Sequence, residues 1–167
     1  STLEDHTREQ VQMHEVARHV TKGFSMKVPA EFGQCFSYNH VFFTKFKDTV
    51  ATVEEYIEGT FMKYVNNDGE CIRPPEPCSM DCMEVFAKAQ TLVHYSYCAS
   101  NNKMMVLDIQ GSMYRLYDPE ISTELLHVED TNEVYFCCGN LSSLGIRGFL
   151  ENHVCNKYCR MMALPID

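Results

Sequence analysis

Near the end of the chain, HVCNKYC (153–159) sets His153, Cys155 and Cys159 within one short stretch. Imidazole and thiolate are the usual ligands of structural zinc, whose sites commonly pair cysteines a few residues apart and take further ligands from elsewhere. If CNKYCRMM is helical, Cys155 and Cys159 lie at i and i+4 on one face, and His153 can fold toward the same point. A disulfide is disfavoured there, because Cβ vectors running along a helix do not converge. His94, on the inner side of the preceding long helix, is the candidate fourth ligand. Spacing alone equally admits two buried cysteines beside a hydrogen-bonded histidine. A second C-x3-C pair, Cys78 and Cys82, has no histidine nearby and reads as ordinary loop thiols.

DIQGSMYRLYDPEI supplies two acids, Asp108 and Asp118, separated by a glycine-containing turn with Gln110 between them. Two carboxylates and an amide oxygen are hard ligands of the kind Mg2+ takes alongside water and phosphate. Two turn-capping aspartates satisfy the same pattern. GNLSSLG (139–145) is a weaker signal: a glycine-containing loop before a helix can turn backbone N–H groups toward an anion, but Ser142 and Ser143 stiffen it.

The elements that must position these groups are legible as patterns. Residues 2–24 read as a helix, capped by Thr2 with Asp5, carrying Met13, Val16, Val20 and Phe24 at helical spacing and closed by Gly23 and Pro29. HVFFTKF (40–46) reads as a strand, and TVEEYIEGTFMKYV (52–65) as a strand, a break at Gly59 and a second extended piece. NNDG (66–69) is a turn, and the proline-rich stretch between Cys71 and Ser79 a loop at a lobe boundary. A second helix is expected from about Asp81 to Tyr97, with Met83, Phe86, Gln90, Val93 and Tyr97 along its apolar face and His94 beside it. MMVLDI (104–109) reads as a buried strand delivering Asp108 at its end. A short helix follows the glycine loop and ends near His153.

The length of 167 residues suits one domain, or two small lobes sharing an interface. Hydrophobic residues at 45% and charged residues at 22% are globular values, with no apolar run of bilayer-spanning length. A net charge of −9 argues against a nucleic-acid backbone or an anionic membrane as partner. Nine cysteines, an odd number beside a full hydrophobic complement, fit reduced thiols better than a cross-linked secreted scaffold. The opening STLEDHTREQ has neither an initiator Met nor a signal pattern, and reads as the start of a piece of a longer protein.

Taken in order, these motifs resemble the alpha-kinase family of atypical protein kinases. VEEYIEGTFMKYVNNDG is similar to the interlobe region, LVHYSY to the helix with a metal-binding histidine, MMVLDIQG and YDPEI to the catalytic segment, and GNLSSLGIRGFLENHVCNKYC to the glycine-containing loop and zinc-binding tail. The resemblance implies a two-lobed α+β kinase-like fold with a truncated first lobe: a single domain over 1–167, with the remainder of the N-terminal lobe and the interlobe region in 1–70 and the catalytic, zinc-binding lobe in 71–167. It implies ATP-dependent phosphorylation of serine or threonine in a protein substrate, in the cytoplasm, without direct membrane contact from this domain. A structural Zn2+ would be held by His94, His153, Cys155 and Cys159. Asp108 would act at the substrate hydroxyl as base or positioner, Gln110 and Asp118 would hold Mg2+ on the ATP phosphates, and Glu54 and Ile57 would offer backbone groups to the adenine. Gly139, Asn140 and Gly145 would shape the substrate loop.

The chain departs from the family in three places. The nucleotide-covering loop and the lysine that reaches the α- and β-phosphates precede the matched region, and none of the chain's own lysines matches that position. Ser112 and Met113 follow the D-I-Q-G where small apolar and glycine residues are usual, and Ser142 stands where a glycine is usual. The missing lysine favours a competing expectation, a catalytically silent, zinc-stabilised binding or scaffold module.

Overall fold

The computed structural model describes residues 2–136 and 139–165. Helix α1 (Leu3–Lys27) opens on a capping box: the Thr2 hydroxyl accepts from the Asp5 N–H at 3.1 Å, and the Asp5 carboxylate accepts from the Thr2 N–H at 2.8 Å. Met13, Ala17 and Phe24 form its buried stripe. The helix continues past Gly23, which sits beside the Tyr95 hydroxyl, and stops where Val28 turns extended before Pro29. A 3-10 turn, Ala30–Phe32, follows.

Strands β2 (Val41–Phe46) and β3 (Thr49–Glu54) form an antiparallel hairpin against α1. Arg8 lies 4.0 Å over the Phe43 ring, and Lys45 pairs with Glu4 at 2.6 Å. Four short strands, β1 (Ser37–Tyr38), β4 (Met62–Lys63), β6 (Gln110–Ser112) and β7 (Arg115–Leu116), make a mixed sheet in the order β1-β7-β6-β4. This sheet draws strands from both sides of residue 70, so the two parts of the chain share backbone hydrogen bonds.

Helix α2 (Met80–Ala99) packs on β5 (Met104–Leu107), which pairs antiparallel with β8 (Glu120–Thr123). The Ser96 hydroxyl donates to the Val93 carbonyl at 2.6 Å and accepts from the Val106 N–H at 2.9 Å, tying helix to strand. The buried stripe of α2 runs through Val85, Phe86, Ala89, Leu92 and Val93; Met83, expected on that face, is 51% exposed because it lies in the first turn, off the stripe. Helices α3 (Ser143–Asn152) and α4 (Lys157–Met161) close the chain. No described helix is long and apolar enough to cross a membrane.

The 66–69 turn forms as expected, with the Gly69 N–H donating to the Asn66 carbonyl at 3.1 Å. The backbone of α3 lies directly on it: a Cβ at Gly148 would stand 2.0 Å from the Asp68 carbonyl oxygen. An exposed helical Gly→Ala change stabilises by about 1 kcal/mol. Here Gly148→Ala is expected to destabilise by about 1–3 kcal/mol through overpacking, read as a lowered Tm in thermal unfolding.

Candidate functional site

Strand β5 ends at Leu107, and the next residue, Asp108, turns the chain with φ of 54°. Asp118, between β7 and β8, has φ of 50°. Both acids therefore sit in the left-handed region, which Asp tolerates better than most residues but at a cost of about 1–3 kcal/mol, and such residues cluster at functional sites. Gln110 joins them. Its amide nitrogen donates to Asp108 Oδ2 at 3.0 Å and to the Asp118 carbonyl at 3.0 Å, with Asp118 Oδ2 at 3.4 Å. The structure thus brings Asp108, Gln110 and Asp118 into one cluster.

The cluster contains a fourth member that spacing did not reveal. Lys63, in β4, pairs with Asp108 Oδ1, and its ammonium donates to Gln110 Oε1 at 2.8 Å. The register explains it, since Lys63 lies directly opposite Gln110 in the antiparallel pair. Partial burial and the charge of Asp108 push the Asp118 carboxyl above the usual aspartate range, against the pull of Lys63. Burial, then the charge of Asp118, likewise raises Glu54 at the end of β3. Glu54 and Asp118 both line a small cavity of about 50 Å3 with Gln10, His14 and Thr52. Ile57 is half-buried in the segment after β3. That segment is moored by Asn39, whose amide donates to the Glu55 carbonyl at 3.3 Å and whose carbonyl accepts from Arg115 at 2.8 Å. A wider groove of about 580 Å3 between α1 and Phe43 contains none of these acids, so side-chain chemistry, not cavity size, locates the site.

Met113 and Ser142, at positions where the resemblance leads one to expect glycine, adopt φ of 50° each. The backbone keeps the glycine-type conformation without the glycine, and hydrogen bonds hold it. The Tyr64 hydroxyl donates to the Met113 carbonyl at 2.8 Å, and the Ser142 N–H donates to Asn140 Oδ1 at 2.8 Å. Asn140 is buried and spends its whole amide on loop geometry, accepting also from the Thr123 N–H and donating to Thr123 Oγ1 and the Tyr135 carbonyl. Gly139 lies beside the Glu120 carboxylate, and Gly145 is packed in α3 against Ser122 and Leu107.

His94, His153, Cys155 and Cys159 bring one ligand atom each within 4.8 Å of one another, a group that could hold a metal ion. Cys155 does not lie on the helix as expected. Asn156 caps α4, accepting from the Tyr158 and Cys159 N–H groups at 2.8 and 3.4 Å, so Cys155 precedes the helix and its thiol turns back toward Cys159. The donor set fits zinc, with two thiols and two imidazoles in a half-buried place. The surroundings prepare the ligands. His153 Nδ1 lies 3.0 Å from Gln90 Oε1, which fixes Nδ1 as the N–H and leaves Nε2 to face Cys159 at 3.5 Å. Burial, then His94, lowers His153 to about 4, so the imidazole is neutral at pH 7, as a ligand must be. Thr91 Oγ1 lies 3.3 Å from Cys159 Sγ. Cys78 and Cys82 stand apart from this group as free thiols.

This mixed α+β fold is that of kinase-type catalytic domains. The alpha-kinase domain of Myosin Heavy Chain Kinase A in complex with ADP matches with a TM-score of 0.81 at 24% identity, covering 99% of this chain and 62% of that one. The apoenzyme domain of Myosin-II Heavy Chain Kinase A matches at 0.79 and 25% identity, covering 98% and 60%. The alpha-kinase family profile matches residues 1–159, and the chain belongs to the alpha-kinase family. Among its relatives, Transient receptor potential cation channel subfamily M member 6 of Homo sapiens is 33% identical over 114 residues, 68% of this chain and 5% of that protein. Myosin heavy chain kinase B of Dictyostelium discoideum is 31% identical over 117 residues, 70% of this chain and 14% of that protein. Alpha-protein kinase vwkA of the same organism is 35% identical over 118 residues, 68% and 16%.

Proposed function

We propose that this chain is the catalytic part of a two-lobed protein kinase that transfers the γ-phosphoryl group of ATP to serine or threonine of a protein substrate. Residues 1–70 would belong to the first lobe and the interlobe region, and 71–167 to the second. The observation that carries the reading is the single cluster of Asp108, Gln110, Asp118 and Lys63, with one amide bridging both acids. Phosphoryl transfer asks the protein chiefly for positioning and charge stabilisation. Asp118 and the Gln110 carbonyl would hold Mg2+, which when bound neutralises charge on the phosphates. Asp108 would accept the substrate hydroxyl proton, and Lys63 would orient it and stabilise it as the carboxylate. Glu54 and Ile57 would present backbone groups to the adenine. The loop around Gly139 and Asn140, footed on Gly145, would support the substrate segment.

His94, His153, Cys155 and Cys159 would hold a structural zinc with all four positions filled by protein, so that it anchors the chain's end to α2 and takes no part in the chemistry. Mg2+-dependent nucleotide binding tests the division of labour between the acids. Asp118→Asn is expected to weaken it more than Asp108→Asn does, measured by calorimetry with a non-hydrolysable ATP analogue. The reverse order would exchange their roles. The reading as a whole is tested by transfer from γ-labelled ATP to a mixed basic protein substrate, comparing the chain with Asp108→Asn. Absence of transfer from a folded, metal-loaded sample would instead leave a binding module.

A further inference from the structure

The chain carries one local arrangement twice. In Cys155–Cys159 a cysteine precedes a side-chain N-cap, Asn156, and a second cysteine follows three residues into the first turn. In Cys78–Cys82 the cap is Ser79, whose hydroxyl accepts from the Cys82 N–H at 3.2 Å, with φ of −69° and ψ of 162°. An extended cap turns the chain sharply, so the leading cysteine is not part of the helix, and the objection to a disulfide between i and i+4 helical positions does not apply. The consequence is visible in the later pair, whose thiols converge within 4.8 Å. In the earlier pair the Cys82 thiol is among the groups that raise the Cys78 thiol, so the two side chains are neighbours. Both are half-exposed, and Cys78 also donates to the Ser79 carbonyl at 3.5 Å. What separates the pairs is the company they keep: two imidazoles meet the later one, and among the described residues the earlier belongs to no such group.

We propose that Cys78 and Cys82 are a reversible dithiol–disulfide site at the start of α2, oxidised by exchange with a small disulfide of the glutathione class. In the first step the Cys82 thiolate attacks one sulfur of the small disulfide, forming a mixed disulfide and expelling one glutathione thiolate. In the second, Cys78 loses its proton to solvent and attacks the Cys82 sulfur, closing the protein disulfide and expelling the second glutathione. One disulfide is consumed and one formed, and two glutathione thiols take up the two protons that the cysteines release. Burial and the neighbouring Cys82 push the Cys78 thiol up to about 11, so Cys82 attacks first and Cys78 enters only as the resolving thiol, its small thiolate fraction offset by proximity in the intramolecular step. The product ties the proline-rich loop to α2.

The test uses the folded, metal-loaded chain, incubated with glutathione disulfide, alkylated and mapped by peptide mass spectrometry. Expected are a Cys78–Cys82 cross-linked peptide in the parent chain and, in Cys78→Ser, a glutathione adduct trapped on Cys82 at about tenfold or more its parent level, because the resolving thiol is gone. A stable adduct on Cys82 in the parent chain without the cross-link would show that the thiols do not converge and would overturn the proposal. So would full alkylation of both thiols while other cysteines react, or a Cys155–Cys159 cross-link in place of the earlier one.

Discussion

His94→Ala or Cys159→Ser is expected to lose metal and fold together. The parent chain should carry about one zinc, measured by elemental analysis of the desalted protein. Either substitution should bring that ratio toward zero and abolish the cooperative thermal transition. The expected size follows from the role: in small zinc domains the apparent binding free energy of about 10–16 kcal/mol is also folding free energy, whereas a whole domain is stable by only about 5–15 kcal/mol. The site joins the last described segment to the middle of α2 through side chains that are buried or half-buried, so removing one ligand leaves the others without their partner and frees the tail. Gln90→Leu is the graded comparison. It removes the oxygen that fixes the His153 tautomer without removing a ligand, and should cost about 10–100-fold in metal affinity with the fold retained. Metal-free protein that melts as the parent does would show the four residues to be packing only.

The second large effect lies at the acids. Asp108→Asn should lower phosphoryl transfer by roughly 10²–10⁴-fold, the usual contribution of a positioned proton acceptor, with nucleotide affinity little changed. The amide keeps the size and one carbonyl oxygen, so the Lys63 contact can survive while the proton acceptor is gone. Lys63→Met should also reduce turnover, because it releases both Asp108 and Gln110 from the ammonium that holds them. A Lys63→Met variant with parental turnover and weakened nucleotide binding would assign Lys63 to the phosphates instead. Initial rates with labelled ATP, set beside calorimetric binding of an analogue, separate the two outcomes.

What was readable in advance divides along physical lines. The convergence of His94, His153, Cys155 and Cys159 was legible because three of them are neighbours in sequence and the fourth lies on a helix whose apolar period exposes its inner side. The acids were legible as a strand-end pattern, Asp108 closing an apolar run and Asp118 preceding Pro119. Lys63 was not, because its place depends on the register between β4 and β6, which sets Lys63 opposite Gln110, 47 positions away, and no local pattern encodes a register. Nor was the support given by Gln90 and Thr91, which read only as positions on a helix until Cys159 and His153 were placed against them. Cys155 was expected inside a helix because CNKYCRMM has a helical period; Asn156 prevailed, since its side chain satisfies the first N–H groups and so starts the helix at Lys157, two residues later. The resemblance implied that Asn140 shapes a substrate loop; in the structure its four hydrogen bonds are turned inward and set the shape of the segment around it.

The left-handed backbone at Asp108 and Asp118 has a consequence for how this domain can change. Glycine would adopt φ near 50° at either position with less strain than aspartate, so replacement there would relax the main chain while deleting the carboxylate. On the proposed reading, backbone strain and phosphoryl transfer pull in opposite directions at these two residues. A search for hardier variants by survival of heat alone would be drawn to position 118, where the carboxylate is partly buried beside another acid, whereas at 108 the loss of the pairing with Lys63 and Gln110 opposes the gain.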